Sequence, residues 1–136
     1  MSYKPILIVP GESKSIFFEI FFKSLKLKKY NSGLILICNK KKLDEEIKRF
    51  NFRGNIELIS AHKIDSKDIK KNKIYLIDIE IQHKENYVLN CFDVAFKLIK
   101  SGFTNKLING PVDKSKTLKK KYLGITEYIS EKFNKR

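Results

Sequence analysis

Two short loops in this 136-residue sequence carry the residue types best suited to holding an anion. The first is Pro10-Gly11-Glu12-Ser13-Lys14-Ser15, which follows the aliphatic run Ile6–Val9. Glycine permits close backbone approach to a ligand, and the N-terminus of a following helix attracts negative charge. The loop lacks the second glycine of a Walker loop and the spaced glycines of a dinucleotide fingerprint. A plain strand-to-helix turn satisfies the same composition. The second loop is Asn109-Gly110-Pro111-Val112-Asp113-Lys114, with Gly124-Ile125-Thr126-Glu127 further on. Lys114 has the charge to hold a phosphate or carboxylate, and Thr126 has a hydroxyl to donate from a helix start. Read blandly, Gly110-Pro111 is a turn, Thr126 an N-cap and Lys114 one more solvated lysine.

Other chemistry is sparse. His62 and His83 stand alone, outside any His-x-x-x-His or Cys-x-x-Cys spacing, which argues against a metal site built from this chain by itself. There is no Gly-x-Ser-x-Gly elbow. Asp78 and Glu80 are two apart on an expected strand and so share a face, an arrangement that is usually solvent-facing. Composition and spacing alone yield no reaction.

The elements that must position the two loops are legible from hydrophobic period. Pro5–Val9, Leu34–Cys38, Asn55–Ala61, Ile74–Ile79 and Lys106–Ile108 read as short strands, the second a continuous apolar run of the kind buried on both faces. Between them, Ile16, Phe17, Ile20, Phe21 and Leu25 recur at helical spacing, with Ser15 near the helix start. Leu43, Ile47 and Phe50 form the stripe of a second helix for which Asn39 is a suitable cap. Asn86–Lys100 is the clearest amphipathic helix, and Gly102 sits where a C-terminal cap belongs. Residues 63–72 read as a polar surface connection, and a last helix is expected from about Thr126 through Phe133. Strands alternating with helices imply an α/β fold, a mostly parallel sheet flanked by helices. The length fits one domain over residues 1–136.

Hydrophobic residues make up 42% of the chain and charged residues 32%, with a formal net charge of +14. The apolar share suffices for a core. No apolar run is long enough to cross a bilayer, and Met1–Pro5 with its short apolar sequel does not resemble an export signal. Cys38 and Cys91 fall in apolar patterns and read as buried, reduced thiols, which points to the cytoplasm. The charge raises nucleic acid as a partner. Yet only Arg49, Arg53 and Arg136 are arginine, and the lysines are scattered, so solvated lysine faces are the preferred reading. Lysine-driven nucleic-acid binding would show a steep salt dependence.

At the two loops the sequence resembles the N-terminal portion of the 4-hydroxythreonine-4-phosphate dehydrogenase family of pyridoxine biosynthesis. That family's opening Pro-Gly-Glu-Pro-Ala-Gly-Ile-Gly-Pro-Glu is matched at Pro10, Gly11, Glu12, Ile16 and Glu19, whereas Ser13, Lys14, Ser15, Phe17 and Phe18 depart from it. Thr-Gly-Pro-Val-His-Lys is represented by Asn109-Gly110-Pro111-Val112-Asp113-Lys114, and Gly-His-Thr-Glu-Phe by Gly124-Ile125-Thr126-Glu127-Tyr128. The three motifs keep their order. The resemblance implies an α/β/α fold like the isocitrate and isopropylmalate dehydrogenases, working as a homodimer. It implies NAD-dependent oxidation of a small phosphorylated hydroxy amino acid, assisted by a divalent metal ion. It points to Glu12, Gly110, Lys114 and Thr126 as substrate-binding residues. Ile125 replaces the family's histidine and can neither hydrogen-bond nor exchange a proton. The family's three metal-ligating histidines, and most of its cofactor site, correspond to sequence beyond Arg136. The 136 residues by themselves are therefore expected not to catalyse the family reaction. They would need a longer parent or a complementing C-terminal chain, or else belong to a divergent, non-catalytic relative that binds an anionic metabolite.

Overall fold

The structure, a computed structural model, describes residues 4–12, 15–113 and 129–131. Its elements run β1 (Ile6–Val9), α1 (Phe17–Leu27), β2 (Leu34–Cys38), α2 (Lys40–Arg49), β3 (Ile56–Ile59), β4 (Ile74–Asp78), α3 (Tyr87–Lys100) and β5 (Lys106–Asn109). The strands form one sheet in the order β3-β4-β2-β1-β5, with every pairing parallel. Parallel pairing sends each strand's following loop out at the same rim.

Both faces of the sheet are covered, and the two-residue period of the strands sorts the side chains between them. Leu7, Val9, Ile35, Ile37, Tyr75 and Ile77 pack with Val88, Phe92, Ala95 and Phe96 of α3. Ile8, Leu34, Leu36, Cys38 and Leu76 pack with Phe21 and Phe22 of α1 and Leu43 of α2. Burial on both sides is why β2 is an unbroken apolar run rather than an alternating one.

The element ends follow local chemistry. Ser15 Oγ accepts from the Phe17 N–H at 3.3 Å as α1 opens. Asn39 Oδ1 accepts from the Lys42 N–H at 3.2 Å and caps α2. At the end of α3, Gly102 takes φ +87°, the Gly102 N–H donates to Ile99 O, and the Phe103 N–H donates to Leu98 O, both at 3.1 Å. That double closure is a Schellman cap.

Some expectations are refined. The β3 strand is shorter than Asn55–Ala61, and β4 ends at Asp78. In α1 the burial falls on Phe21 and Phe22, while Ile16 and Ile20 of the expected stripe are exposed, because α1 is apolar round more than one face. The polar connection over residues 63–72 still sends Ile64 and Ile69 against the α3-side core. Of the expected last helix, residues 129–131 are described and are helical, with Ile129 packed on the same core.

Candidate functional site

Because β1 and β5 are neighbours, with Val9 opposite Asn109, the two glycine loops leave the sheet side by side. Their backbones are pressed together. Gly11 has φ +88°, and a Cβ there would run into the Pro111 carbonyl oxygen. A Cβ on Gly110 would collide with the Pro10 carbonyl and lie 2.9 Å from Phe17 Cδ1. Both positions thus need glycine for space, and Gly11 for conformation as well.

Three hydrogen bonds sew the loops together, and a fourth braces the second loop internally. The Gly110 N–H donates to Val9 O at 2.8 Å, and the Glu12 N–H donates to Pro111 O at 2.8 Å. The Asp113 N–H donates to Glu12 Oε1 at 3.0 Å, and Asn109 Nδ2 donates to the Gly110 carbonyl at 2.9 Å. Of the residues singled out from sequence, Gly11, Glu12 and Gly110 therefore meet at one rim. Lys114 and Thr126 lie outside the described residues.

Beside this junction is a cleft of about 130 Å³, bounded by Pro10, Gly11, Glu12 and Phe18 on one side and Lys42, Glu45 and Glu46 of α2 on the other. Cys38 and Tyr87 also line it. The cleft is electrostatically mixed, with one lysine among three carboxylates. Lys42 Nζ stands 5.9 Å from the centroid of the Tyr87 ring, within the range of a cation–π contact.

The N-terminus of α2, which points into this region, is already supplied with acceptors from the protein. The Lys40 N–H donates to Asp78 Oδ1 at 2.8 Å, and Asn39 caps Lys42. The Asp78 carboxylate, expected simply to face solvent, is exposed and also closes a helix end from the neighbouring strand β4. Tyr87 Oη accepts from the Asn39 N–H at 2.7 Å, tying α3 to the same corner. Burial, reinforced by the neighbouring Cys91 and Cys38 thiols, pushes the Tyr87 phenol well above its ordinary range. Burial likewise raises both thiols, Cys91 to about 12.

Burial thereby favours the neutral forms of the phenol and both thiols. Sequence reasoning missed Lys42 and Tyr87, and read Asp78 only as solvent-facing, because each reaches this corner from a separate element. The cap signal at Asn39 was the one local clue to this corner.

Among the described residues, no three His, Cys, Asp or Glu converge to hold a metal ion. The donor set does not fit one, and no described residue is assigned to a metal or a nicotinamide. No described helix is long and apolar enough to cross a membrane.

A parallel sheet covered on both faces, with its glycine loops gathered at the carboxyl rim, defines an α/β protein of the kind that binds small ligands at that rim. No family model matches the chain, and no curated protein matches it in sequence. Among solved structures it is similar in fold to the crystal structure of a 4-hydroxythreonine-4-phosphate dehydrogenase from Burkholderia phymatum. There the identity is 19%, the TM-score 0.70, and the match covers 96% of this chain and 44% of that one. The enzyme of the same name from Klebsiella pneumoniae matches at 21% identity and TM-score 0.69, again over 96% of this chain and 44% of that one. The chain shares its fold with the N-terminal portion of these dehydrogenases and spans less than half their length.

Proposed function

We propose that this chain forms the substrate-anchoring part of an oxidoreductase acting on a small phosphorylated hydroxy amino acid. The single observation that carries the reading is the mutual fit of Gly11 and Gly110 at the carboxyl rim of β1 and β5. That fit joins the two loops whose motifs resemble the dehydrogenase family, in a fold shared with its members. In this reading Lys114 holds the phosphate as a point charge and Thr126 donates its hydroxyl to the substrate. Gly110 allows the backbone to come close, and Glu12 fixes the second loop through Asp113. In a complete assembly, NAD would accept the hydride and a divalent metal would polarise the alcohol. The chain would act in an assembly with the remaining part of the enzyme, as a homodimer or with a complementing chain.

Calorimetric titration with 4-phosphohydroxythreonine tests this. Saturable binding is expected, weakened at least about tenfold by Lys114→Ala through loss of one charge-assisted contact. Absence of binding at millimolar ligand, or equal binding by the variant, would overturn the reading. A second reading, a relative that binds the anion without chemistry, is favoured by Ile125 standing in the histidine position. It is separated from the first by assaying NADH formation with NAD and a divalent metal added to the full assembly.

A further inference from the structure

Parallel strands also enter the sheet at a common rim, the one opposite the glycine junction. There the fold gathers cations that lie far apart in sequence. Lys28 and Lys29 lead into β2, Arg53 into β3, and Lys70, Lys71 and Lys73 into β4. These strands are consecutive in the sheet, in the order β3-β4-β2. Their entering segments therefore lie side by side, about 5 Å from one strand to the next. All six residues are exposed. Segments 28–33, 50–55 and 69–73 contain no aspartate or glutamate, and none of the six cations forms an ion pair among the described residues.

The three segments share a cavity of about 400 Å³. Lys28, Lys29 and Lys73 border it, Tyr30 and Phe52 supply aromatic rings, and no carboxylate lines it. The Phe52 ring is held by stacking on Phe22, with centroids 4.6 Å apart. Two of the segments are tied by the Leu34 N–H, which donates to Lys73 O at 2.9 Å. Ser32 also lines the cavity while only 5% exposed, and its hydroxyl makes no hydrogen bond to the described residues. A buried hydroxyl in that state is a donor and acceptor available to a ligand.

We propose that this rim binds single-stranded nucleic acid, with one base entering the cavity beside Tyr30 and Phe52 and the flanking phosphates meeting the row of cations. Aromatic rings stack with any base, and lysines hold phosphates as point charges without reading sequence. A duplex is the poorer fit, because its bases are stacked inside and the arginine forks that read groove edges are scarce here. A lone anionic metabolite would engage the cavity but leave Arg53, Lys70 and Lys71, which do not line it, without a counter-charge. An anionic membrane surface would use the cations but not the cavity. Lysines scattered along the sequence thus end on one charged face, which the strand order creates. This rim is separate from the Gly11–Gly110 junction, and the proposal does not depend on the dehydrogenase reading.

Fluorescence anisotropy of the full chain with a labelled single strand of about twelve nucleotides tests this. Saturable binding is expected, weakening roughly fiftyfold between about 50 and 200 mM salt as neutralisation of about four phosphates requires. The triple variant Lys28→Gln, Lys29→Gln, Lys73→Gln should bind at least about tenfold more weakly. Lys41→Gln, Lys63→Gln, Lys84→Gln removes equal charge from exposed sites that follow β2, β3 and β4, and should cost less than about threefold. Tyr30→Leu, which keeps the apolar contact but not the ring, should cost at least about fivefold. If that variant melts early, the two lysine triples decide alone, since every position in them is exposed. The proposal is overturned by no saturation at low salt, by equal losses in the two triples, or by full affinity in a folded Tyr30→Leu. Preference for the duplex of the same sequence, or displacement by an equal concentration of nucleoside monophosphate, overturns it as well.

Discussion

The Glu12 carboxylate accepts a hydrogen bond from the Asp113 backbone N–H at 3.0 Å, joining residues 101 apart in sequence. The Glu12 N–H in turn donates to Pro111 O, so one residue of the first loop grips the second from two sides. The charge-assisted member of this pair is the one a side-chain change removes.

Glu12→Ala should therefore lower the unfolding free energy by about 1–2 kcal/mol, the range for losing a hydrogen bond to a charged group at a partly buried site. Glu12→Gln should cost less, because the amide oxygen still accepts. Urea denaturation of the three proteins measures both. An unchanged midpoint in Glu12→Ala would show that the Asp113 contact contributes nothing to stability.

The glycines separate space from conformation. Gly11 and Gly110 face opposing backbone, whereas Gly102 has φ +87° with nothing within 4 Å of a would-be Cβ. Gly110→Ala should destabilise by about 2–3 kcal/mol, the cost of overpacking where the neighbour is main chain and cannot rotate away. Gly102→Ala should cost about 1 kcal/mol, from left-handed backbone alone. If thermal melting ranks Gly102→Ala as the worse of the two, the close approach of the loops is wrong.

Much of this fold was legible because each element announces itself locally. The continuous apolar run of β2, the Asn39 cap and the Gly102 cap depend on a few adjacent residues, and the structure places them where their patterns fall. The convergence of Gly11 and Gly110 was legible at one remove, since parallel strands must release their loops at a common rim. The corner built from Lys42, Asp78 and Tyr87 was not. It depends on β2 and β4 being neighbours although β3 lies between them in sequence, and strand order leaves no trace in local period. The exposure of Ile20 was equally hidden, because an apolar helix does not declare which of its faces the sheet will take.

Asp78 gives the sharpest check on that corner. Its carboxylate caps α2 from a different element, so Asp78→Ala should remove an N-terminal acceptor and a favourable charge near the helix start, about 1 kcal/mol in all. Asn39→Ala, which removes the in-sequence cap, should cost a similar amount. Hydrogen exchange should then speed up in the first turn of α2 in both variants while α1 stays protected. Equal exchange across the two helices would detach Asp78 from this role.

The buried thiols, with the Tyr87 phenol, make stability fall at alkaline pH. Burial raises Cys91 to about 12 from an ordinary value near 9, and it raises Cys38 as well, with Cys91 and Asp78 adding to the shift. Above pH 9 the unfolded chain releases thiol protons that the folded protein retains, so the unfolded state binds fewer protons and stability falls as pH rises. The contribution is fully present below pH 9 and is lost progressively from there towards pH 12. Each such thiol steepens the decline by at most about 1.4 kcal/mol per pH unit. Urea midpoints at pH 8, 9.5 and 10.5 should drop more steeply for the unmodified protein than for Cys91→Ala, which lacks one of the titrating groups. Parallel curves would mean that Cys91 ionises as readily in the folded protein as in the unfolded chain.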